Sequence, residues 1–112
     1  KALYHELKYY VKKRQTHIKQ LYGFNSRGIG KTYNLMKISG KYKIPVIEPM
    51  GSMADYAYKM HLKFNPIVLT PSQLKGRVQP GTIILVDEKQ LLNENAKSEL
   101  DRYIQVGFET EN

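Results

Sequence analysis

The chain has 112 residues and carries 18 Lys and Arg against 10 Asp and Glu, a formal net charge of +8. That length suits one domain and excludes a two-domain enzyme with a cleft between full-sized halves. With 0 Cys, disulfide frameworks, cysteine-ligated zinc and a Cys nucleophile are excluded, which fits a reducing, cytoplasmic location.

Residues 2–15 read as an amphipathic helix, with Leu3, Leu7 and Val11 recurring every four residues and Lys8, Lys12, Lys13 and Arg14 on the remaining face. Residues 17–24 read as a strand, and a helix is expected from about Gly30 to Ile38, ended by Ser39-Gly40. Residues 44–48 form a second strand, with Pro45 at its start, where a missing N–H does least harm. Ser52 is expected to cap a helix over 53–63. A third strand covers 66–70, followed by at most one helical turn between Ser72 and Gly76. Residues 82–86 form a fourth strand, apolar on both faces, which belongs inside a parallel sheet. A helix over 94–103 and a short last strand between Tyr103 and Glu109 complete the chain.

Repeated strand–helix units predict an α/β domain with a mostly parallel sheet of four or five strands. The expected organisation is a single domain over 1–112, with a basic amphipathic helix over 1–17 and a core over 18–104. The longest apolar run, Ile83 to Val86, is far short of a membrane span, so no membrane partner is expected. The chain opens on Lys1 rather than Met, which points to a processed or trimmed product.

Charge is graded along the chain. Residues 1–43 hold 11 basic and 1 acidic residue, whereas residues 87–112 hold 3 and 7. Such a gradient suits a polyanion partner on one face, and equally a dipolar protein whose two ends neutralise each other. Six of the nine Tyr (Tyr4, Tyr9, Tyr10, Tyr22, Tyr33 and Tyr42) fall in that basic third, a composition that suits base stacking as well as a small core with phenol groups at its surface.

The strongest local motif is Asn25-Ser26-Arg27-Gly28-Ile29-Gly30-Lys31-Thr32, between an expected strand and an expected helix. Successive N–H groups at a helix N-terminus make an anion cradle, and Gly28 and Gly30 permit the close backbone approach this requires. Lys31 reaches the outer phosphates and Thr32 holds Mg²⁺ through its hydroxyl. The usual pattern opens on Gly. Here Asn25 stands in that place, the non-Gly residue type most tolerant of left-handed backbone. The second motif is Asp87-Glu88, closing the apolar strand. Carboxylates are costly beside a core. Asp87 suits Mg²⁺ and Glu88 suits polarising the attacking water.

Taken together, these two motifs resemble those of the P-loop NTPases, in the additional-strand, RecA-like branch that sets a catalytic Glu beside the Mg²⁺ Asp. The resemblance covers residues 18–104 and implies a minimal or truncated three-layer fold that binds ATP and Mg²⁺ and acts as a nucleoside triphosphatase. It implies nucleotide contacts from Asn25 through Tyr33, metal contacts from Thr32 and Asp87, and catalytic roles for Lys31, Glu88 and Arg27.

Two narrower resemblances add expectations. Pro49 to Ala54, Thr70-Pro71-Ser72-Gln73-Leu74 and Asp87-Glu88-Lys89-Gln90 look like motifs of the first domain of superfamily 1 and 2 helicases, which implies nucleic-acid backbone contacts from Ser52, Thr70 and Ser72. Arg27 to Tyr33 is similar to the loop of bacteriophage DNA-packaging ATPases, which implies an Arg27 contact to the γ-phosphate, a phage or mobile-element source and a host-cytoplasm location. No second RecA-like domain follows, so an arginine finger is expected from a homo-oligomer or partner protein, with Arg102 either a surface residue or a candidate in trans. His5, His17 and His61 lack ligand spacing. The expected function is ATP hydrolysis coupled to nucleic acid, in DNA packaging or strand remodelling. The alternative is a small nucleotide-binding regulatory or interaction module with little hydrolysis.

Overall fold

Ile83–Val86 is a strand in which every one of the four side chains is covered. Successive side chains of a strand point to opposite faces, so this strand demands a layer of apolar side chains on each side. The computed structural model, which describes residues 2–22 and 30–111, supplies both. The elements are α1 (Ala2–Lys13), β1 (His17–Tyr22), α2 (Lys31–Tyr42), β2 (Val46–Ile47), α3 (Gly51–Met60), β3 (Val68–Leu69), β4 (Ile83–Val86), α4 (Glu94–Leu100) and β5 (Ile104–Glu111). Short 3-10 segments at Leu62–Phe64, Pro71–Gln73 and Lys89–Leu91 link them.

The five strands form one sheet in the order β1-β5-β4-β2-β3, and every neighbouring pair is parallel. On one face Ile83, Leu85, Val46, Val106 and Phe108 meet Leu7 and Val11 of α1, Leu35, Met36 and Ile38 of α2, and Ala57 of α3. On the other, Ile84, Val86 and Ile47 meet Leu74, Leu92, Leu100 and Tyr103. The chain is thus an α/β domain of three layers, as expected, with the full five strands. No helix among the described residues is long and apolar enough to cross a membrane.

Several boundaries differ from those expected, each for a physical reason. α2 runs past Gly40 to Tyr42, where Lys43 in the left-handed conformation closes it. Gly40 does not end the helix: the Phe64 carbonyl lies where its Cβ would stand, so the residue gives the 62–64 segment room to pack. Ser52 is not a cap either. α3 starts at Gly51 with Met50 in the cap position, which puts Ser52 inside the first turn. α4 ends at Leu100, so Arg102 lies in the turn before β5 rather than on a helix. β5 extends past the expected core boundary at 104 to Glu111, and pairs with β1 along all six of its residues, from His17↔Val106 to Tyr22↔Glu111.

Gly107 stands opposite Val86 in the β4–β5 register. A Cβ at Gly107 would lie 1.8 Å from the Val86 carbonyl oxygen and 2.8 Å from its nitrogen. Glycine is therefore required there for the two central strands to approach. Gly107→Ala is expected to destabilise the fold by about 3 kcal/mol or more, since overpacking against backbone has no flexible partner to yield. Gly51→Ala, with open space around its Cβ, is expected to be neutral or stabilising by up to about 1 kcal/mol. Urea denaturation of the two variants checks this contrast, and equal midpoints would contradict it.

Candidate functional site

In a parallel sheet the carboxyl ends of all strands meet along one edge, and ligands of such folds bind there. β4 delivers Asp87 and Glu88 to that edge, and α2 brings Lys31 and Thr32 back against it. The Thr32 hydroxyl donates to Asp87 Oδ2 at 2.7 Å, and Lys31 Nζ donates to Glu88 Oε2 at 2.6 Å. The two motifs, more than fifty residues apart in sequence, therefore form one constellation. Asn25, Ser26, Arg27, Gly28 and Ile29 lie outside the described residues.

The start of α2 has no side-chain cap. Gly30 caps it in the left-handed conformation, φ 78°, and brings no side chain to the exposed N–H groups of the first turn. No acidic residue occupies that turn, so nothing of the helix's own competes for its positive end. Asn34 Nδ2 donates to the Gly30 carbonyl at 2.8 Å and holds the cap in place. The Tyr33 ring packs edge-on against Phe64 and His61, so its observed contacts are with the segment after α3.

Glu88 is held from both sides. Lys31 takes one carboxylate oxygen, and Gln90 Nε2 donates to the other. Gln90 is anchored in turn by the Thr110 N–H of β5, which donates to its Oε1 at 2.8 Å. Burial pushes the Glu88 carboxyl up, but the bonds from Lys31 and Gln90 and the Lys31 charge outweigh it, so its pKa falls below the ordinary value. Its backbone is left-handed, φ 51°, a conformation that costs a non-glycine residue energy and that collects at functional sites.

The structure adds a residue that the motifs do not contain. Glu48 follows β2, which pairs with β4 in register Val46↔Leu85 and Ile47↔Val86, so its carboxyl arrives beside Asp87. Both side chains are only 2% exposed. Burial, then the charge of Asp87 and a hydrogen bond to it, then the charge of Glu88, push the Glu48 carboxyl up to about 10 against the opposing pull of Lys31. At neutral pH this favours the protonated form of Glu48 beside Asp87. Among the described residues, Glu48 Oε2 and Asp87 Oδ1 have no hydrogen-bond partner. The signal in the sequence was a carboxylate closing a second apolar strand, as Asp87 closes β4.

These orphaned oxygens test whether Mg²⁺ fits. Asp87, Thr32 and Glu48 present an all-oxygen donor set, the kind that hard divalent cations take. No group of three His, Cys, Asp or Glu among the described residues has ligating geometry. Mg²⁺ does not need one, since it commonly binds one or two carboxylates and completes its shell with water and phosphate.

A cavity of about 440 Å³ opens over this constellation, lined by Thr32, Glu48, Ser52, Met53, Asp87 and Glu88 among others. Thr70 and Ser72 are elsewhere. They line a larger cleft of about 1010 Å³ with Gly51, Asp55, Lys75 and Glu99. The three expected nucleic-acid contacts are thus divided between two cavities, and Ser52 belongs to the acidic one. Thr70 is engaged locally: its N–H donates to Gln73 Oε1 at 2.9 Å. Arg102 sits before β5, at the opposite edge of the sheet, 3.4 Å from Glu99. The chain matches no family model, no curated protein and no solved structure.

Proposed function

We propose that this chain binds Mg²⁺-ATP and hydrolyses it, coupled to a nucleic acid, as the P-loop resemblance implies. The observation that carries this reading is the convergence of Lys31 and Thr32 at the open N-terminus of α2 with Asp87 and Glu88 at the end of β4. The position of β5 between the loop-bearing β1 and the acidic β4 supports the additional-strand branch.

The chemistry follows from what each residue offers. N–H groups of the first turn of α2 donate to phosphate oxygens at the positive end of the helix. Lys31 exchanges Glu88 for the outer phosphates, which carry more negative charge than one carboxylate. Thr32 and Asp87 would hold Mg²⁺, with Glu48 beside them, and the ion would supply neutralisation of charge on the phosphates. Once Lys31 has left, one Glu88 oxygen is free to accept a proton from the attacking water, while Gln90 keeps the carboxylate aimed. Arg27 is assigned to γ-phosphate charge and a further arginine to a partner, on the resemblance alone.

A second reading, a nucleotide-binding module with little turnover, is favoured by the double engagement of Glu88 by Lys31 and Gln90. ATPase assays with and without polynucleotide separate the two readings, since only the first expects turnover. The common core is tested by titrating Mg²⁺-ATP into wild type and Lys31→Ala. The variant is expected to bind at least about tenfold more weakly, the loss of one charge-assisted contact. Equal affinities would remove the phosphate site.

A further inference from the structure

We infer that the paired helices α1 and α2 form the face that binds the polymer, and that its ligand is single-stranded nucleic acid. The inference rests on the nucleic-acid-coupled reading above and gives its partner a place. The one carboxylate of residues 1–43, Glu6, is consumed by Lys19 at 2.9 Å and lies 3.7 Å from His17. Among the described residues, Lys8, Lys12, Lys13, Lys37 and Lys41 have no carboxylate within ion-pair distance.

These lysines are interleaved with tyrosines across the two helices. Lys37 of α2 lies 4.7 Å from the ring of Tyr4 on α1. Lys12 of α1 and Lys41 of α2 approach the same ring, Tyr42, at 5.9 and 5.5 Å. Lys13 lies 5.9 Å from Tyr9, which is 55% exposed. Cations gathered without counter-charge repel one another, and a chain of phosphates relieves that repulsion while releasing its own counterions. The exposed phenol ring of Tyr9 adds stacking, which suits unpaired bases rather than a closed duplex. A bilayer surface fits less well. Apart from Tyr9 and Tyr33, no large apolar side chain of α1 or α2 is exposed, whereas membrane-lying helices insert Leu, Phe or Trp. The cleft holding Thr70 and Ser72 is lined by one lysine, Lys75, beside Asp55 and Glu99, so it gathers no comparable excess of positive charge. α2 joins the two sites physically: it begins at Lys31 and carries Lys37 and Lys41 about 9 and 15 Å further along its axis.

The test measures binding of labelled oligo(dT) by fluorescence anisotropy across a salt series. The triple variant Lys12→Gln, Lys37→Gln, Lys41→Gln is expected to bind at least about tenfold more weakly, with its salt slope reduced by about 2, since each phosphate contact on a single strand contributes about 0.7. Tyr9→Ala is expected to lose about tenfold with an unchanged slope. Lys75→Gln is expected to match wild type. All variants are expected to keep wild-type Mg²⁺-ATP affinity. If wild type binds oligo(dT) and the triple variant binds equally well, this face is overturned and nucleic-acid coupling survives. No oligo(dT) binding by wild type, with or without Mg²⁺-ATP, overturns both. Binding to phosphatidylserine vesicles in preference to oligo(dT) overturns the assignment in favour of a membrane surface.

Discussion

Glu88→Gln is expected to lower ATP turnover about 10²- to 10⁴-fold, the range lost with a general base, while Mg²⁺-ATP affinity holds or rises. The separation of the two effects follows from the geometry. Glu88 is the resting partner of Lys31 at 2.6 Å, so an incoming phosphate must compete with it for the ammonium. Glutamine keeps the shape and can still bond Gln90, but it carries no charge, so Lys31 is easier to draw onto phosphate. It also cannot take a proton from water. Single-turnover hydrolysis and equilibrium titration on the same preparation measure the two quantities. Turnover within about threefold of wild type would remove Glu88 from the catalytic role, and a large loss of affinity would recast it as a binding residue.

Glu48→Gln is expected to change how the metal-free protein responds to pH. The folded-state pKa of Glu48, about 10, lies well above its ordinary 4.5. The folded protein therefore keeps a proton that the unfolded chain has released, and stability falls as pH rises through that interval. The contribution is complete below about pH 4.5 and is progressively lost on the way to pH 10. Glu88 runs the other way: its lowered pKa contributes stability that is present above its ordinary value and is lost on acidification. Glutamine at 48 can donate to Asp87 without borrowing a proton, so the alkaline loss should vanish. The variant is expected to exceed wild type at pH 9 by about 1–2 kcal/mol, the scale of one buried hydrogen bond, or roughly 4–8 °C in Tm. Thermal unfolding at pH 6 and pH 9 decides the matter. Parallel Tm shifts in both proteins would show that the carboxyl pair is not the source.

The parts of the site that were legible in the sequence are those whose chemistry is local. Gly30, Lys31 and Thr32 announce a helix start with an open N-terminus and a cation beside it. Asp87 and Glu88 stand out because they end a run with no polar residue. Glu48 was not legible in the same way. It closes a short segment that reads as an ordinary strand, and its meaning depends on β2 lying beside β4 with the register Ile47↔Val86. Ser52 shows the reverse case. A small hydroxyl near the second strand matched a helicase motif, but α3 begins two residues earlier than expected, and the residue lines the acidic cavity instead of the cleft with Thr70 and Ser72.

The sequence by itself determined the succession of strands and helices, the doubly buried strand, the charge gradient and the residue types of both motifs. Each depends on spacing along the chain, on the 3.6- and 2-residue periods and on which side chains water rejects. Only the tertiary structure decided the strand order, with β5 inserted between β1 and β4, the closure of Lys31 on Glu88, the buried pairing of Glu48 with Asp87 and the alignment of the lysines of α1 with those of α2. Those arrangements come from burying both faces of one sheet at once, a condition that couples residues far apart in sequence and is not written in any local pattern.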